Sequence, residues 1–214
     1  MPRDQFKPIR HWVFDLDNTL YSPDARLFDQ IEDRMANWIV RTLDLPRETA
    51  NEIRKSYWQT YGTTLAGLMA EHKVEPDAFL ADVHDIDLSV LTPDPDLRRA
   101  IDALPGRRIV FTNGDGAYAR RVLAARGLDN LFEAIYGVED AAYRPKPERE
   151  AFRLVFDADK VTPAQSAMFE DDTRNLQTAH DFGLRTVHVA PEADEQPHIH
   201  HHTDDLPGFL SQLV

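Results

Sequence analysis

Trp12-Val13-Phe14-Asp15-Leu16-Asp17-Asn18-Thr19-Leu20 is an apolar run that ends abruptly in two carboxylates, a poor way to build a core. Trp12 to Phe14 are bulky, β-favouring residues of the kind found in a strand buried on both faces. Asp15 and Asp17 stand two residues apart, so an extended backbone points both side chains the same way. In a parallel α/β sheet, ligands bind in the crevice at the carboxyl ends of the strands. The plainer alternative is a strand running into a polar turn, with Asp17 and Asn18 bonding locally to the backbone.

Downstream, Leu27, Phe28, Ile31, Met35, Trp38, Ile39 and Leu43 recur at helical spacing among charged residues, which predicts an amphipathic helix. Pro46 suits the start of a second helix running through Ile53, Tyr57 and Tyr61 to Gly62. Thr63 or Thr64 caps a third carrying Leu65, Leu68 and Met69, and Pro76 to His84 predicts a fourth. Pro93 and Pro95 mark a boundary. The stretch 22–91 is far longer than the ~15 residues beyond which structureless loops become uncommon. It therefore reads as a folded helical subdomain inserted between 1–21 and 92–214, with its Met and aromatic positions forming its own core.

From Asp96 onward helices and strands alternate. Leu97, Ile101 and Leu104 mark a helix, Arg108 to Thr112 a strand, and Tyr118, Val122 and Leu123 a helix ended by Gly127. Ala134 to Val138 is a strand, and Phe152, Val155 and Phe156 lie on a helix. Ala167-Met168-Phe169 is a strand ending in Glu170-Asp171-Asp172; Leu176 and Ala179 lie on a helix closed by Gly183; Thr186 to Val189 is the last clear strand. This order predicts an α/β fold with a Rossmann-like parallel sheet flanked by helices, and the helical subdomain inserted after the first strand. There is no internal repeat. The stretch from Pro191 to Asp205 reads as irregular and polar, its His198-Ile199-His200-His201-His202 as a surface loop, and Leu206 to Leu213 as a closing helix.

A formal net charge of -13 over 214 residues disfavours nonspecific binding to nucleic acid or anionic membranes. An anionic substrate would need local positive charge supplied by the site itself. The chain has no cysteine, which excludes disulfides and thiolate chemistry. Met1 to Gln5 lack an apolar signal core, and no apolar run approaches the ~20 residues of a membrane span, so a cytoplasmic location is expected. No obligate protein partner is evident.

Three further strand or loop ends carry suggestive polar groups. Thr112 leads into Asn113-Gly114-Asp115-Gly116; Lys146 is held between Pro145 and Pro147; and Asp171 follows Phe169-Glu170. Singly they read as a capping threonine, a solvated lysine and an acidic helix start. Their joint order carries more. Asp15-Leu16-Asp17-Asn18-Thr19-Leu20, then Thr112-Asn113-Gly114, then Lys146-Pro147, then Glu170-Asp171-Asp172 resembles the four motifs of the haloacid dehalogenase-like hydrolase superfamily, in order and over nearly the whole chain. A helical cap between the first and second motifs also fits that resemblance. Asp17 to Tyr21, with Phe28, Ile31 and Met35 after it and Phe111 to Gly114 later, resembles the pyrimidine 5'-nucleotidase branch. Tyr118 stands where many members of that branch carry histidine.

The resemblance implies a Mg²⁺-dependent phosphatase acting on small phosphate monoesters, most simply a pyrimidine nucleoside 5'-monophosphate. Asp15 would be the nucleophile, and Asp17 would protonate the leaving oxygen and later deprotonate water. Thr112, Asn113 and Lys146 would hold the phosphoryl group, and Asp15, the Asp17 carbonyl and Asp171 the Mg²⁺, supported by Asp172 and Glu170. Dehalogenation is disfavoured by Asp17, because departing halide needs no proton. A phosphomutase or sugar-phosphate phosphatase stays open. A phospho-accepting signalling module is disfavoured by motif order and by the helical insertion.

Overall fold

Along strand β1 (His11–Phe14) successive side chains alternate between the two faces of a sheet, and Trp12, Val13 and Phe14 are all buried. The structure is a computed structural model that describes residues 2–214. Beside β1 lie β2 (Arg107–Phe111), β3 (Ala134–Tyr136), β4 (Ser166–Glu170), β5 (Arg185–Val189) and β6 (His201–Thr203). They form one parallel sheet in the order β3-β2-β1-β4-β5-β6, with Phe14 opposite both Val110 and Phe169. The fold is the predicted Rossmann-like α/β sheet flanked by helices.

The helices are α1 (Pro2–Phe6), α2 (Leu27–Leu43), α3 (Arg47–Tyr61), α4 (Thr64–His72), α5 (Pro76–Val83), α6 (Pro95–Asp102), α7 (Gly116–Ala125), α8 (Arg149–Asp159), α9 (Thr173–Phe182) and α10 (Leu206–Ser211). One sheet face, carrying Trp12, Phe14, Val110 and Phe169, packs on Leu97 and Ile101 of α6, Val122 of α7 and Leu210 of α10. The other, carrying Val13, Ile109, Phe111 and Met168, packs on Phe152 and Val155 of α8 and Leu176 of α9. Each such fully buried side chain contributes roughly 1.5–3 kcal/mol over its exposed state. Phe14 and Phe169 also stack across neighbouring strands at 4.7 Å.

Helices α2 to α5 bury a third cluster in which Trp38 meets Phe79 edge-on at 5.1 Å. Thr63 caps α4 by accepting from the Ala66 N–H at 3.1 Å. Gly67 lets α4 approach α3, since a Cβ there would lie 2.3 Å from Tyr57 Cγ.

Three details differ from expectation. Strand β3 ends at Tyr136, because the Asp140 carboxylate accepts from the Gly137 N–H at 2.9 Å and turns the chain into a short 3-10 helix at Val138–Ala141. Helix α1 exists because Phe6 packs parallel to Trp12 at 6.1 Å. The segment expected as an irregular surface loop contains β6, which pairs with β5. Its histidines act as packing and capping groups. His201 lies 5.1 Å from the Phe6 ring, His198 Nε2 donates to the Thr173 carbonyl at 2.9 Å, and His202 Nε2 donates to that of Ala190 at 2.8 Å. Burial pushes the His201 imidazole down to about 4, which keeps it neutral. Among the described residues no helix is long and apolar enough to cross a membrane.

Candidate active site

The carboxyl ends of β1, β2 and β4 lie side by side, so the residues that follow them converge. Asp15 follows β1, Thr112 follows β2, and Glu170 ends β4 with Asp171 just beyond it. Lys146 reaches them from the loop before α8, where the Lys146–Pro147 peptide is cis. Asn113 holds that loop by a reciprocal pair: Nδ2 donates to the Lys146 carbonyl at 3.0 Å and Oδ1 accepts from the Lys146 N–H at 2.7 Å. The lysine is 1% exposed, and its three protons go to Asp15 Oδ1 at 2.6 Å, Glu170 Oε2 at 2.7 Å and the Phe111 carbonyl at 2.8 Å. Thr112 Oγ1 accepts from the Gly114 N–H at 3.0 Å and donates to no described residue, which leaves its hydroxyl hydrogen for a ligand.

Asp15, Glu170 and Asp171 each offer an oxygen within 4.8 Å of the others. One ammonium among three carboxylates leaves an excess of negative charge. Burial, then the Glu170 charge, pushes the Asp15 carboxyl above the usual range, and burial does the same to Glu170. Burial and the Asp15 charge push Asp171 up to about 6. Burial works against the Lys146 ammonium, but Asp15 and Glu170 outweigh it and keep it charged.

Asn18 adopts a left-handed conformation at φ 61° and donates from Nδ2 to Asp171 Oδ2 at 3.3 Å, tying the two loops together. Asp17 Oδ1 accepts from Tyr21 Oη at 2.6 Å and from Tyr118 Oη at 2.8 Å. Burial pushes this carboxyl up against the opposing pull of the two phenols. Asp172 is drawn elsewhere: it caps α9 through the Arg174 N–H at 2.9 Å and pairs with the Arg174 guanidinium at 2.6 Å, outside the three-carboxylate group.

All eight residues singled out in the sequence, Asp15, Asp17, Thr112, Asn113, Lys146, Glu170, Asp171 and Asp172, line one cavity of about 610 Å³. Its far wall comes from α2 and α3 and includes Phe28, Ile31, Met35, Arg54 and Trp58. Arg26, Tyr57 and Tyr61 lie outside it: Arg26 pairs with Asp29, Tyr57 bonds His72 and Tyr61 bonds Glu71. Trp58 and Arg174 meet across the cleft, guanidinium over indole at 4.2 Å. Tyr21 entered the sequence pattern without a role, and His84 entered it only as a helix end; the fold brings His84 against Tyr118, which bonds Asp17.

A family description for haloacid dehalogenase-like hydrolases matches residues 9–183. The chain belongs to the haloacid dehalogenase-like hydrolase family. This hydrolase is 30% identical over 141 residues to (S)-2-haloacid dehalogenase of Xanthobacter autotrophicus, covering 65% of this chain and 55% of that protein. It is 23% identical over 193 residues to Phosphate metabolism protein 8 of Saccharomyces cerevisiae, covering 82% of this chain and 60% of that protein. The chain thus spans a little over half the length of both relatives. Among solved structures, the HAD phosphatase from Thermococcus onnurineus superimposes with a TM-score of 0.63 at 16% identity, covering 96% of this chain and 98% of that one. At that identity the likeness speaks to the fold.

The acidic group of this hydrolase has the donor chemistry of a hard divalent cation site: oxygen ligands only, closely spaced, with charge in excess of what Lys146 offsets. The Lys146 ammonium occupies Asp15 Oδ1 and Glu170 Oε2, while Asp15 and Asp171 each retain a further carboxylate oxygen that it does not bond.

Proposed function

We propose that this hydrolase is a Mg²⁺-dependent phosphatase that cleaves phosphate monoesters through an aspartyl-phosphate on Asp15, with pyrimidine nucleoside 5'-monophosphates as preferred substrates. The observation that carries the reading is Asp17, a second carboxylate lining the same cavity two residues beyond Asp15. An alkoxide leaving group needs a proton and a halide does not. Asp15, the Asp17 backbone carbonyl and Asp171 would hold Mg²⁺, which when bound offsets the negative charge that phosphate shares with the carboxylates.

The chain's own residues account for the remaining work. Asp15 attacks phosphorus, while the Thr112 hydroxyl donates to a phosphoryl oxygen and the Lys146 ammonium, bonded to Asp15 at 2.6 Å, neutralises charge as it develops. Asp17 protonates the departing oxygen, then takes a proton from the water that hydrolyses the intermediate. Helices α2 to α5, residues 22–91 in the domain division proposed here, act as a cap that limits water and selects the leaving group. The nucleotide preference is supported by the cavity wall: Phe28, Ile31 and Met35, part of the nucleotidase-like pattern, line it beside Trp58 and suit the flat apolar faces of a base.

A second reading, dehalogenation, is favoured by the likeness to the Xanthobacter haloacid dehalogenase. The test is phosphate release from ribo- and deoxyribonucleoside monophosphates and sugar phosphates, with Mg²⁺ or EDTA, beside chloride release from 2-chloropropionate. Mg²⁺-dependent release favouring UMP and CMP is expected. Release from sugar phosphates alone removes the nucleotide preference, and chloride release without phosphate release overturns the phosphatase reading.

A further inference from the structure

Asp17 is held in an unusual way for a group that must hand a proton to a substrate. Its Oδ1 accepts two phenol hydrogen bonds, from Tyr21 at 2.6 Å and Tyr118 at 2.8 Å, which use both lone pairs of that oxygen. Its Oδ2 bonds to no described residue, although Asp17 lines the cavity. The two phenols come from separate elements, one from the turn after β1 and the other from the first turn of α7, and they are 4% and 1% exposed.

We propose that Tyr21 and Tyr118 are positioning residues for Asp17, fixing Oδ1 so that Oδ2 is the oxygen presented to the leaving group. The proposal rests on the phosphatase reading above. A carboxyl turns readily about its last torsion, since that torsion has broad, shallow wells. A general acid works only when the proton-bearing oxygen lies within about 2.6–3.2 Å of its target. Two donors on one oxygen remove that freedom. In the first half-reaction the bond from an Asp15 oxygen to phosphorus forms, the bond from phosphorus to the leaving oxygen breaks, and the proton on Oδ2 passes to that oxygen. In the second, water oxygen bonds to phosphorus, one water proton returns to Oδ2, and the Asp15–phosphorus bond breaks.

Tyr118 is itself fastened. The Asp115 carboxylate accepts from the Tyr118 N–H at 2.7 Å through Oδ1 and meets His84 Nδ1 at 2.6 Å through Oδ2. The His84 ring lies flat on the Tyr118 ring, 4.4 Å away at 10°. Arg121 donates to the carbonyls of His84 and Ile86 at 3.1 and 3.0 Å, pinning the segment that leaves α5 onto α7. The phenol that orients Asp17 is therefore packed beneath the point where the inserted helices rejoin the sheet. His84 thus becomes a positioning residue acting through Tyr118.

The test compares Tyr118→Phe, Tyr21→Phe and the double variant on UMP and p-nitrophenyl phosphate with Mg²⁺. A nitrophenolate departs without a proton, whereas a ribose alkoxide does not. Because general acid catalysis is worth about 10²–10⁴-fold, the double variant should lose about ten- to a hundred-fold in kcat on UMP with KM little changed. On p-nitrophenyl phosphate it should lose about threefold or less, and each single variant should show a smaller split of the same sense. Phenylalanine keeps the ring under His84, so the thermal midpoint should stay close to wild type; if the double variant is unfolded, Tyr118→Phe alone decides. Equal losses on both esters, or a change in KM alone, overturn the inference and leave the phosphatase reading standing. A wild-type protein that releases phosphate from neither ester overturns both.

Discussion

Replacing Lys146 by methionine should expose how much of the site's stability one ammonium supplies. The change keeps the stem and removes a group whose three hydrogen bonds reach Asp15, Glu170 and the Phe111 carbonyl at 2.6–2.8 Å. Breaking a buried ion pair by deleting one partner costs about 3–5 kcal/mol, because a desolvated charge is left behind. Here two are left, in carboxyls that are 5% and 1% exposed. Protons can replace the ammonium. A carboxyl whose native pKa exceeds its unfolded value binds more protons when folded, so stability falls as pH rises between the two values. Both carboxyls are already raised to about 8, and loss of Lys146 raises them further, so the variant's stability goes on falling at pH values where the wild type's has levelled off. In urea melts with EDTA, the loss relative to wild type should be about 1–2 kcal/mol near pH 6, where only the Phe111 bond and packing are missed, and grow to about 3–5 kcal/mol near pH 10. A loss under about 1 kcal/mol near pH 10, or the same loss at both values, refutes the charge account of this cluster.

Asp15→Asn should abolish turnover with every phosphate ester while the melt stays at or above wild type, because it removes one of three crowded carboxylates; residual full activity would remove the aspartyl-phosphate mechanism. Affinity for Mg²⁺, read by calorimetry, should weaken as pH falls from about 8 through about 6, where first Asp15 and then Asp171 take up protons, and binding should release protons there; an affinity flat across that range would place the cation elsewhere.

How legible each part was depended on whether its cause lay within a few residues. The run Trp12 to Asp17 announces itself, because burial on both faces demands continuous apolar residues and the sheet end demands the opposite. Lys146 stands out through its flanking prolines. Strand β6 did not, since its histidines carry packing through ring faces that an apolar count overlooks, as His201 against Phe6 shows. Helical periodicity found α2 and α3 but not their cleft-facing side: Tyr57 and Tyr61 are turned toward α4, while Phe28 and Trp58 stay 41% and 49% exposed on the cavity wall. The Asp17 environment was hidden for a different reason. Tyr118 is 101 residues away in the chain, and its tie to His84 exists only once α5 and α7 meet.

On the proposed mechanism, the strand order accounts for chemistry and selection falling on different stretches of this chain. From β1 the chain moves outward through β2 to β3, returns past β1 to β4, and moves outward again through β5 to β6. The connections leaving β1 and β4 therefore part in opposite directions and open a crevice between neighbouring strand ends. A segment inserted after β1 emerges at the lip of that crevice. Helices α2 to α5 can roof it without altering any strand pairing, and their own buried cluster lets them fold around Trp38 and Phe79 rather than around the sheet. Asp15, Lys146 and Asp171 are fixed by the sheet and its loops, whereas Phe28, Arg54 and Trp58 are fixed by the inserted helices. Asp17 belongs to both sets, because one of the two phenols that hold it is packed under His84, the residue that caps the end of α5. On the proposed mechanism the leaving group would be read by the helices and protonated by a carboxyl whose orientation those same helices help to fix.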